Sequence, residues 1–590
     1  MTDTKQSRLT ATLLCVTPPD EHQEQGIRAF LQKKYGEDVA LTIQQDASLK
    51  SGFQLHVGSE VYDWSTKGRM EQFRQQVEQL VAKNTRKDII PLLRSSIDEF
   101  RLLAKSSEVG TVKSIGDGIA VVEGLEHAAY GEILMFDNGI KGMVQDLRRN
   151  ETGCILFDNA DDISAGSKVA RTGKTAGVPV GDAFLGRVVD ALGRPIDGGD
   201  AIPADGYRPV EEPAPGIIDR QSVDTPMETG LLSIDAMFPI GRGQRELIIG
   251  DRQTGKTAIA LDAMLNQKGK NVICVYVAIG QKASSVAQLV ENLRKRDAMD
   301  YCVVVSATAG EADTMQYIAP YAGCAMAEYY MHKGRDVLIV YDDLSKHAIA
   351  YRAMSLLLER APGREAYPGD VFYLHSRLLE RSAHLSDKLG GGSMTALPIV
   401  ETQAGDVSAY IPTNIISITD GQIFLESDLF FAGQRPAVNV GLSVSRVGGA
   451  AQTKAMKKAV GTLRLDLAQY REMEVFTQFS SDLDDDTKQQ LVYGQSLMRI
   501  LRQGRGHPYS EAEQVVLLVT ALGHIQQQLP VDRIGAFNAK LLSDFAASRA
   551  ALMQDIGSTG VLTDENRKAI LEQAKRSLAD FLSAEAGSGR

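Results

Sequence analysis

The segment Gly250–Thr257 has the residue types and spacing of a phosphate-binding loop, a glycine followed after four residues by Gly-Lys-Thr. It follows the apolar run Leu247–Ile249 and precedes a helical pattern that begins at Ala258. Glycines let backbone N–H groups turn towards phosphate oxygens, the helix N-terminus favours negative charge, Lys256 adds a positive charge and the Thr257 hydroxyl can ligate Mg²⁺. The segment therefore predicts a site for ATP or ADP with Mg²⁺. The predicted contact residues of the loop are Gly250, Asp251, Arg252, Gln253, Thr254, Gly255, Lys256 and Thr257.

Two further polar residues follow strand-like apolar runs. Asp342 ends the run Val337–Tyr341, where a carboxylate can reach the Mg²⁺ shell or can cap the helix that follows. The nearby phosphate loop favours the Mg²⁺ role. Gln281 follows the run Val272–Ala278, where many phosphate-loop ATPases have a glutamate that polarises the attacking water. Because an amide cannot accept a proton, Gln281 indicates a site that binds ATP and hydrolyses it poorly.

Arg446 lies in the short sequence Ser443–Arg446 and has two interpretations. It can be an arginine finger that stabilises charge in a neighbouring active site, which is worth roughly 10³–10⁵ in rate. It can equally form a structural ion pair, and spacing alone favours that interpretation. Only the assembled complex would identify a finger.

The pattern along the chain predicts a multidomain α/β protein. The first eighty residues resemble a small α/β unit, and short segments with Asp117-Gly118 and Asn138-Gly139 turns then indicate a β-barrel. Strand-like runs alternate with helical segments from Gly230 to Asn439, which predicts parallel βαβ units. These runs are Arg245–Ile249, Asn271–Ala278, Tyr301–Ser306, Val337–Tyr341 and Ile415–Ile418. The predicted domains are 1–83, a small α/β module; 84–108, a linker helix; 109–175, the barrel; 176–453, the nucleotide-binding domain; and 454–590, a helical domain.

Composition excludes several classes of protein. The 590 residues carry a net charge of −11, which argues against a broad surface for nucleic acid. No apolar run approaches the roughly 18 residues of a membrane helix. The five cysteines are scattered without a Cys-x-x-Cys pair, which predicts neither a disulfide framework nor a zinc site and fits buried thiols in a reducing cytoplasm.

From about Ser95 onward the chain resembles the α subunit of the F-type ATP synthase. The resemblance rests on the phosphate loop and four further motifs: Tyr276–Gln281, Tyr341–Lys346, Pro362–Asp370 and Gly441–Val447. It implies a β-barrel crown, a RecA-like nucleotide domain and a helical C-terminal domain. Three copies would alternate with three catalytic β subunits around the γ rotor, on the cytoplasmic face of the bacterial inner membrane, associated with the membrane through the embedded sector.

The resemblance also implies residue roles. Lys256 and Thr257 would hold the phosphates and Mg²⁺ of a non-catalytic nucleotide, with Asp342 in the second shell of the metal. Arg446 would be the finger inserted into the adjacent β site, which reverses the preference from spacing alone. The residues implied to flank the adenine are Arg435, Pro436 and Gln503. Two departures from the family are Arg505, where a second glutamine is usual, and Ala283, where a basic residue is common.

The first eighty residues are not part of an ordinary α subunit, and they resemble the C-terminal domain of the δ subunit, the oligomycin-sensitivity-conferring protein. The similar segments are Asp46–Leu49, Ser51–Leu55, Val61–Ser65 and Gly68-Arg69. We therefore interpret the chain as a natural δ–α fusion whose N-terminus anchors the peripheral-stalk b subunit.

Two other functions share the nucleotide-binding core. One is a self-sufficient ATPase ring such as a secretion motor, against which Gln281 argues. The other is a Rho-like RNA translocase, against which the acidic balance and the lack of obvious base-stacking aromatic residues in the barrel argue.

Overall fold

A computed structural model describes residues 10–19, 21–35, 39–46, 49, 52–58, 60–65, 106–137, 139–157, 163–477 and 485–588. The chain divides into two compact units, Met1–Ala176 and Gly177–Arg590. None of the helices in these ranges combines the length and the apolar character needed to cross a bilayer.

The N-terminal module of the first unit is a four-stranded sheet with one helix. Its elements are β1 (Thr10–Cys15), α1 (Glu21–Tyr35), β2 (Ala40–Gln45), β3 (Phe53–Val57) and β4 (Glu60–Asp63). The strand order is β4-β3-β1-β2, and only β1 and β2 are parallel. Leu31 of the helix packs against Leu13, Leu55 and Val57 of the strands, so alternate residues of each strand form the core.

The second part of this unit is a closed β-barrel, as predicted, and it has six strands. The strands are β5 (Ser106–Gly116), β6 (Ile119–Glu123), β7 (Glu132–Phe136), β8 (Lys141–Leu147), β9 (Glu151–Leu156) and β10 (Lys168–Thr175). The order β5-β6-β9-β8-β7-β10 closes through pairing of β10 with β5. Asp117 and Gly118 have φ values of 49° and 77°, which confirms the hairpin turn predicted there. Asn138 of the other predicted turn lies outside the described residues.

Strand β5 belongs to both sheets of the first unit. Its first residues, Ser106–Glu108, pair antiparallel with Glu60–Tyr62 of β4, and its later residues pair with β6 and β10. The strand thus begins inside the segment 84–108 that the sequence assigns to a linker helix, and residues 84–105 lie outside the described ranges. The hydrogen bonds of β4 and β5 join the module to the barrel in one continuous ladder.

The second unit contains a parallel sheet covered by helices. Its strands are β11 (Gly177–Val180), β12 (Val188–Val189), β13 (Gly206–Pro209), β14 (Leu247–Asp251), β15 (Val272–Gln281), β16 (Cys302–Thr308), β17 (Asp336–Asp342), β18 (Ser393–Thr402), β19 (Gly421–Leu425) and β20 (Val444–Ser445). The main order is β12-β16-β15-β17-β18-β14-β19-β20, and only β20 is antiparallel to its neighbour. The helices are α2 (Leu232–Met237), α3 (Lys256–Leu265), α4 (Ala283–Lys295), α5 (Asp313–Met331), α6 (Leu344–Leu357), α7 (Val371–Leu379), α8 (Tyr410–Ile418) and α9 (Ser427–Phe431).

One predicted strand of this sheet is wrong. Ile415–Ile418 forms the end of α8, and the strand beside β17 is instead β18. Ile411, Ile415 and Ile418 are buried at the three- and four-residue steps of one helical face. A run of four apolar residues is compatible with a buried strand or a buried helix, so only the longer periodicity separates the two.

Beyond residue 453 the chain is helical, as predicted. The helices are α10 (Lys454–Val460), α11 (Leu463–Thr477), α12 (Asp485–Ile500), α13 (Glu511–Leu522), α14 (Ile534–Ser548), α15 (Ala550–Thr559) and α16 (Asp564–Ser588). Helix α13 begins at a capping box formed by Ser510 and Glu513 and is buried through most of its length. Its apolar residues share one core with those of α3 and β14, so the helical domain and the nucleotide-binding sheet form one hydrophobic interior.

Candidate nucleotide-binding site

The phosphate loop lies at the carboxyl end of β14, between β18 and β19, and leads into α3. Gln253 and Gly255 have φ values of 66° and 98°, which lie in the left-handed region and turn the chain back on itself. A Cβ atom at Gly250 would lie 2.6 Å from the carbonyl oxygen of Leu425. This position therefore requires glycine because the neighbouring strand approaches so closely.

The ammonium group of Lys256 lies inside the loop. Its Nζ donates to the carbonyl oxygens of Gly250 at 2.9 Å and Asp251 at 2.5 Å, and the residue is 8% exposed. Burial lowers the pKa of Lys256, whereas the surrounding carboxylates, Glu401 foremost, act to raise it. The loop thus presents a desolvated cation among backbone groups, which suits an anionic ligand.

Asp342 brings together three residues singled out in the sequence. Its Oδ2 accepts hydrogen bonds from Thr257 Oγ1 at 2.7 Å and from Tyr276 OH at 2.5 Å. Its backbone oxygen accepts from Gln281 Nε2 at 3.0 Å. The Gln281 amide therefore lies next to the backbone of Asp342, whose side chain holds the Thr257 hydroxyl that is suited to Mg²⁺.

The two roles considered for Asp342 are divided between neighbouring residues. The carboxylate of Asp343 accepts from the backbone N–H of Lys346 at 2.8 Å and caps α6. Burial, reinforced by the charge of Asp342, raises the pKa of Asp343 to about 7. Because Asp343 serves as the cap, the side chain of Asp342 is available to Thr257.

The side chain of Asp251 ties the phosphate loop to neighbouring segments by hydrogen bonds. Its Oδ1 accepts from Thr402 Oγ1 at 2.7 Å and from Gly405 N–H at 2.8 Å, and its Oδ2 accepts from Ser427 Oγ at 3.0 Å. Burial would raise the pKa of Asp251, but these hydrogen bonds and the nearby ammonium group of the loop lower it overall. Thr254 Oγ1 donates to the backbone oxygen of Asp251 at 2.8 Å. The side chains of Asp251 and Thr254 thus fix the loop, and their contact with nucleotide stays a prediction.

The residues predicted to flank the adenine lie next to this loop. The guanidinium carbon of Arg435 lies 4.4 Å from the ring centroid of Phe430, and that ring lies 3.7 Å from where a Cβ of Gly255 would stand. The Arg435–Pro436 peptide bond is cis. The carbonyl of Arg435 accepts from the backbone N–H of Gln503 at 2.8 Å. The structure thus places the predicted adenine residues on one side of the loop.

The side chain of Gln503 already has three partners. Its Nε2 donates to the carbonyls of Gly230 at 2.7 Å and His507 at 2.8 Å, and its Oε1 accepts from Leu232 N–H at 3.0 Å. Both amide protons are engaged in holding α2 against the segment before α13. An adenine contact through Gln503 therefore stays a prediction that depends on the second lone pair of Oε1.

Arg446 lies apart from the loop, at the end of β20. The residue is exposed, and its backbone N–H donates to the carbonyl of Asp420 at 2.8 Å. Across the part of the chain that the structure describes, no residue forms an ion pair or hydrogen bond with its guanidinium group. The structural ion pair favoured by spacing alone is thus not formed within the described residues.

Comparison with known proteins connects these features. A family model for the nucleotide-binding domain of the ATP synthase alpha/beta family matches residues 230–445. Models for the C-terminal domain of the alpha/beta chain and for the family's β-barrel domain match 452–577 and 105–173. ATP synthase subunit alpha of Acetivibrio thermocellus is 57% identical over 496 residues, which cover 84% of this chain and 98% of the relative. This chain belongs to the ATP synthase α subunits.

Other α subunits match over a similar share of the chain. Those of Clostridium botulinum and Clostridium kluyveri are each 58% identical over 478 residues, which cover 81% of this chain and 95% of the relative. A model for the ATP synthase delta (OSCP) subunit matches residues 1–77. An α subunit joined to a δ-like N-terminal module, as the sequence predicts, is therefore confirmed.

Sequence reasoning missed one charged residue of this α-subunit site. Glu401 is the last residue but one of β18 and pairs with Gly250 of β14, and its charge acts on Lys256. Its Oε1 lies 4.0 Å from Nε of the exposed Arg252. The signal that could have found Glu401 is its place directly after the apolar run 396–400, which resembles the place of Asp342 after its own run.

Proposed function

We propose that this α subunit binds Mg-nucleotide at a non-catalytic site and supplies Arg446 to the catalytic site of an adjacent β subunit. The observation that carries the proposal is the exposed guanidinium group of Arg446, which has no ion-pair partner among the described residues. An exposed guanidinium group of this kind is suited to stabilise negative charge across a subunit interface.

The residues of the site fit a nucleotide with Mg²⁺. Lys256 and the loop backbone would hold the phosphates, and the hydroxyl of Thr257 would supply the hard oxygen atom that Mg²⁺ prefers. The carboxylate of Asp342, which accepts a hydrogen bond from that hydroxyl, would lie in the second shell of the ion. When bound, the ion neutralises phosphate charge. Arg435, Pro436 and the region of Gln503 would then lie on the adenine side.

The non-catalytic character rests on Gln281. Its amide nitrogen donates to the backbone carbonyl of Asp342 at 3.0 Å, so this side chain acts as a hydrogen-bond donor beside the residue that accepts from Thr257. An amide does not accept a proton from water, so this position gives no general-base assistance. Retained nucleotide would then serve regulation and structure.

Membership in the family supports the following assembly. Three copies of this chain would alternate with three β subunits around γ, and each Arg446 would face one β site. The δ-like module would anchor the peripheral-stalk b subunit, held to the barrel by the β4–β5 ladder as well as by the chain. Covalent tethering replaces a bimolecular docking step by an intramolecular one at an effective concentration on the order of millimolar. The complex would act at the cytoplasmic face of the bacterial inner membrane.

One observation favours a second candidate function, a self-sufficient phosphate-loop ATPase. Gln281 cannot act as a base, but Glu401 provides a carboxylate near Lys256. A carboxylate there can serve as a general base if it reaches the attacking water. Phosphate release by the purified chain separates the two functions, because the non-catalytic site releases phosphate slowly and a self-sufficient ATPase releases it rapidly.

The decisive experiment is Arg446→Ala in the assembled complex. Steady-state ATP hydrolysis is expected to fall by about 10³-fold or more, because the transition-state charge in the β site loses its cationic partner. Equilibrium nucleotide binding to the purified variant chain is expected to stay unchanged, because Arg446 lies outside the phosphate loop. Arg567→Ala, which removes an exposed arginine from α16, is the matched control and retains turnover. Unchanged turnover of the Arg446→Ala complex would refute the proposal.

A further inference from the structure

The segment just before β14 contacts the strand that leads to Arg446. Gln244 Nε2 donates to Ser445 Oγ at 3.1 Å and to Glu246 Oε2 at 2.7 Å. Ser445 Oγ in turn donates to the carbonyl of Pro239 at 2.8 Å. The side chains of Gln244 and Glu246 are fully buried, so these hydrogen bonds are shielded from water.

Arg245 holds the other side of the same segment. Its backbone N–H and Nε donate to Asp420 Oδ2 at 3.0 Å each, and its guanidinium also pairs with Glu380. The carbonyl of Asp420 accepts the backbone N–H of Arg446. The segment Gln244–Glu246 therefore holds the backbone from which the Arg446 side chain projects.

The carboxyl group of Glu246 fills a space that only glycine leaves open. A Cβ atom at Gly421 would overlap both carboxyl oxygens of Glu246 and the carbonyl of Val444. Gly421 pairs with Ser445 in the β19–β20 ladder, one residue before the finger. One oxygen of this carboxyl group, Oε1, has no hydrogen-bond partner among the described residues.

The groups around this carboxyl shift its pKa in opposite directions. Burial raises the pKa of Glu246 well above its usual range, and the charge of Asp420 adds to the effect. The hydrogen bond from Gln244 and the positive charge of Arg446 act in the opposite direction. Arg245, on the same segment, is already paired with Asp420 and Glu380. Glu246 and Arg446 thus influence each other through charge, but within the described residues they form no ion pair.

We propose that Glu246 is a positioning residue that holds the Arg446 segment in place through Gln244 and the β19–β20 ladder. The inference rests on the proposed function of Arg446 and extends it to a residue that does not touch the reacting atoms. The carboxyl group supports the ladder by its shape and hydrogen bonding. It does not need a negative charge, because a charge there would draw the guanidinium back towards its own subunit.

The test compares ATP hydrolysis by complexes assembled with Glu246→Ala, Glu246→Gln, Arg446→Ala and the double variant Glu246→Ala/Arg446→Ala. Glu246→Ala is expected to lower kcat by about 10- to 100-fold with KM little changed, because a misplaced group loses rate on this scale. Glu246→Gln is expected to stay within about threefold of the unmodified complex, because the amide keeps the shape and the hydrogen-bond acceptor. On the Arg446→Ala background, Glu246→Ala is expected to reduce kcat less than about twofold further.

The control is Glu511→Gln, which neutralises another buried carboxyl group of raised pKa on α13 and should leave kcat unchanged. If Glu246→Ala fails to assemble, Gln244→Ala removes the same hydrogen bond from its donor side and should show the same pattern. A full further loss in the double variant, or failure of Glu246→Gln to restore turnover, would overturn the positioning role and leave the finger intact. Retained turnover in Arg446→Ala would instead overturn the finger itself.

Discussion

At the scale of single residues, Asp342 and Asp343 divide two tasks that the sequence could not separate. Both follow the same strand, and either carboxylate could cap the helix that follows. The structure assigns the cap to Asp343, which receives the N–H of Lys346 at 2.8 Å. Asp342 then accepts the hydroxyl of Thr257 at 2.7 Å. Such a division depends on where the backbone turns, so spacing alone does not reveal it.

The role of Lys256 leads to a prediction at this scale. Lys256→Ala is expected to weaken nucleotide binding to the purified chain by roughly 10- to 100-fold, because a desolvated charge-assisted hydrogen bond is lost. The fast catalytic step of the assembled complex should persist, because the β sites keep their own loops. Binding is measured by equilibrium titration with ATP and Mg²⁺, and turnover by phosphate release.

The matched control is Lys268→Ala, which removes an exposed ammonium group beyond the end of α3. Its affinity for nucleotide should equal that of the unmodified chain. If Lys256→Ala abolished the catalytic step as completely as Arg446→Ala does, the division between a binding site and a donated finger would be contradicted.

At the scale of elements, the helices beside the nucleotide sheet enclose a pair of neutral histidines. The ring centroids of His347 on α6 and His375 on α7 are 5.3 Å apart, and the Tyr317 ring of α5 lies 5.8 Å from that of His347. In the described part of the chain, neither ring nitrogen of His375 has a hydrogen-bond partner. Burial, reinforced by the charge of Arg377, lowers the pKa of His375 to about 3.

These buried histidines predict that the folded chain loses stability in acid. An unfolded histidine has a pKa near 6.5, so between about pH 6.5 and pH 3 the unfolded chain binds a proton that the folded chain does not. The free energy of unfolding therefore falls as the pH is lowered through this range. His375→Phe fits the aromatic surroundings and removes one titrating group, so its unfolding midpoint should fall less between pH 7 and pH 5 than that of the unmodified chain.

Thermal or denaturant unfolding at several pH values checks this expectation. His507→Phe changes an exposed histidine and should keep the original pH dependence. Part of the slope should remain in His375→Phe, because burial lowers the pKa of His347 as well. An unchanged slope in His375→Phe would show that the acid sensitivity arises elsewhere.

The elements also show what the sequence could and could not predict. The phosphate loop was predicted with its strand and helix because glycine spacing and apolar runs are local signals. The sequence does not reveal β18, and it predicts a strand at Ile415–Ile418 where the structure has the end of α8, because short buried apolar runs carry no period of their own. Glu401 was missed for the same reason, since its strand was missed. The hydrogen bond from Gln244 to Ser445, the residue before Arg446, spans 201 residues of sequence, and spacing does not reveal such a contact.

At the scale of the whole molecule, the fusion of a δ-like module to an α subunit is the distinguishing feature. The first relative aligns over 98% of its own length with 84% of this chain. The module is thus added to a nearly complete α subunit.

Deleting residues 1–83 tests the anchoring role. The shortened chain is expected to assemble with β subunits, because the α portion matches its relatives over nearly their whole length. Capture of the b subunit by the assembled complex should fall severely, because the δ-like domain that would contact it is gone. Co-purification of b with tagged β measures the effect, and recovery of α with β serves as the internal control. Undiminished capture of b would exclude the module as the anchor.

The strand shared by the module and the barrel has a consequence for how the protein tolerates cleavage. A sheet that ends in open backbone groups recruits other chains and promotes aggregation. Residues Glu60–Tyr62 pair with the backbone of Ser106–Glu108, so the module covers an edge that the barrel would otherwise expose. Proteolysis between the module and the barrel, followed by dissociation of the module, would leave the backbone of Ser106–Glu108 unpaired and able to pair with a strand of another molecule.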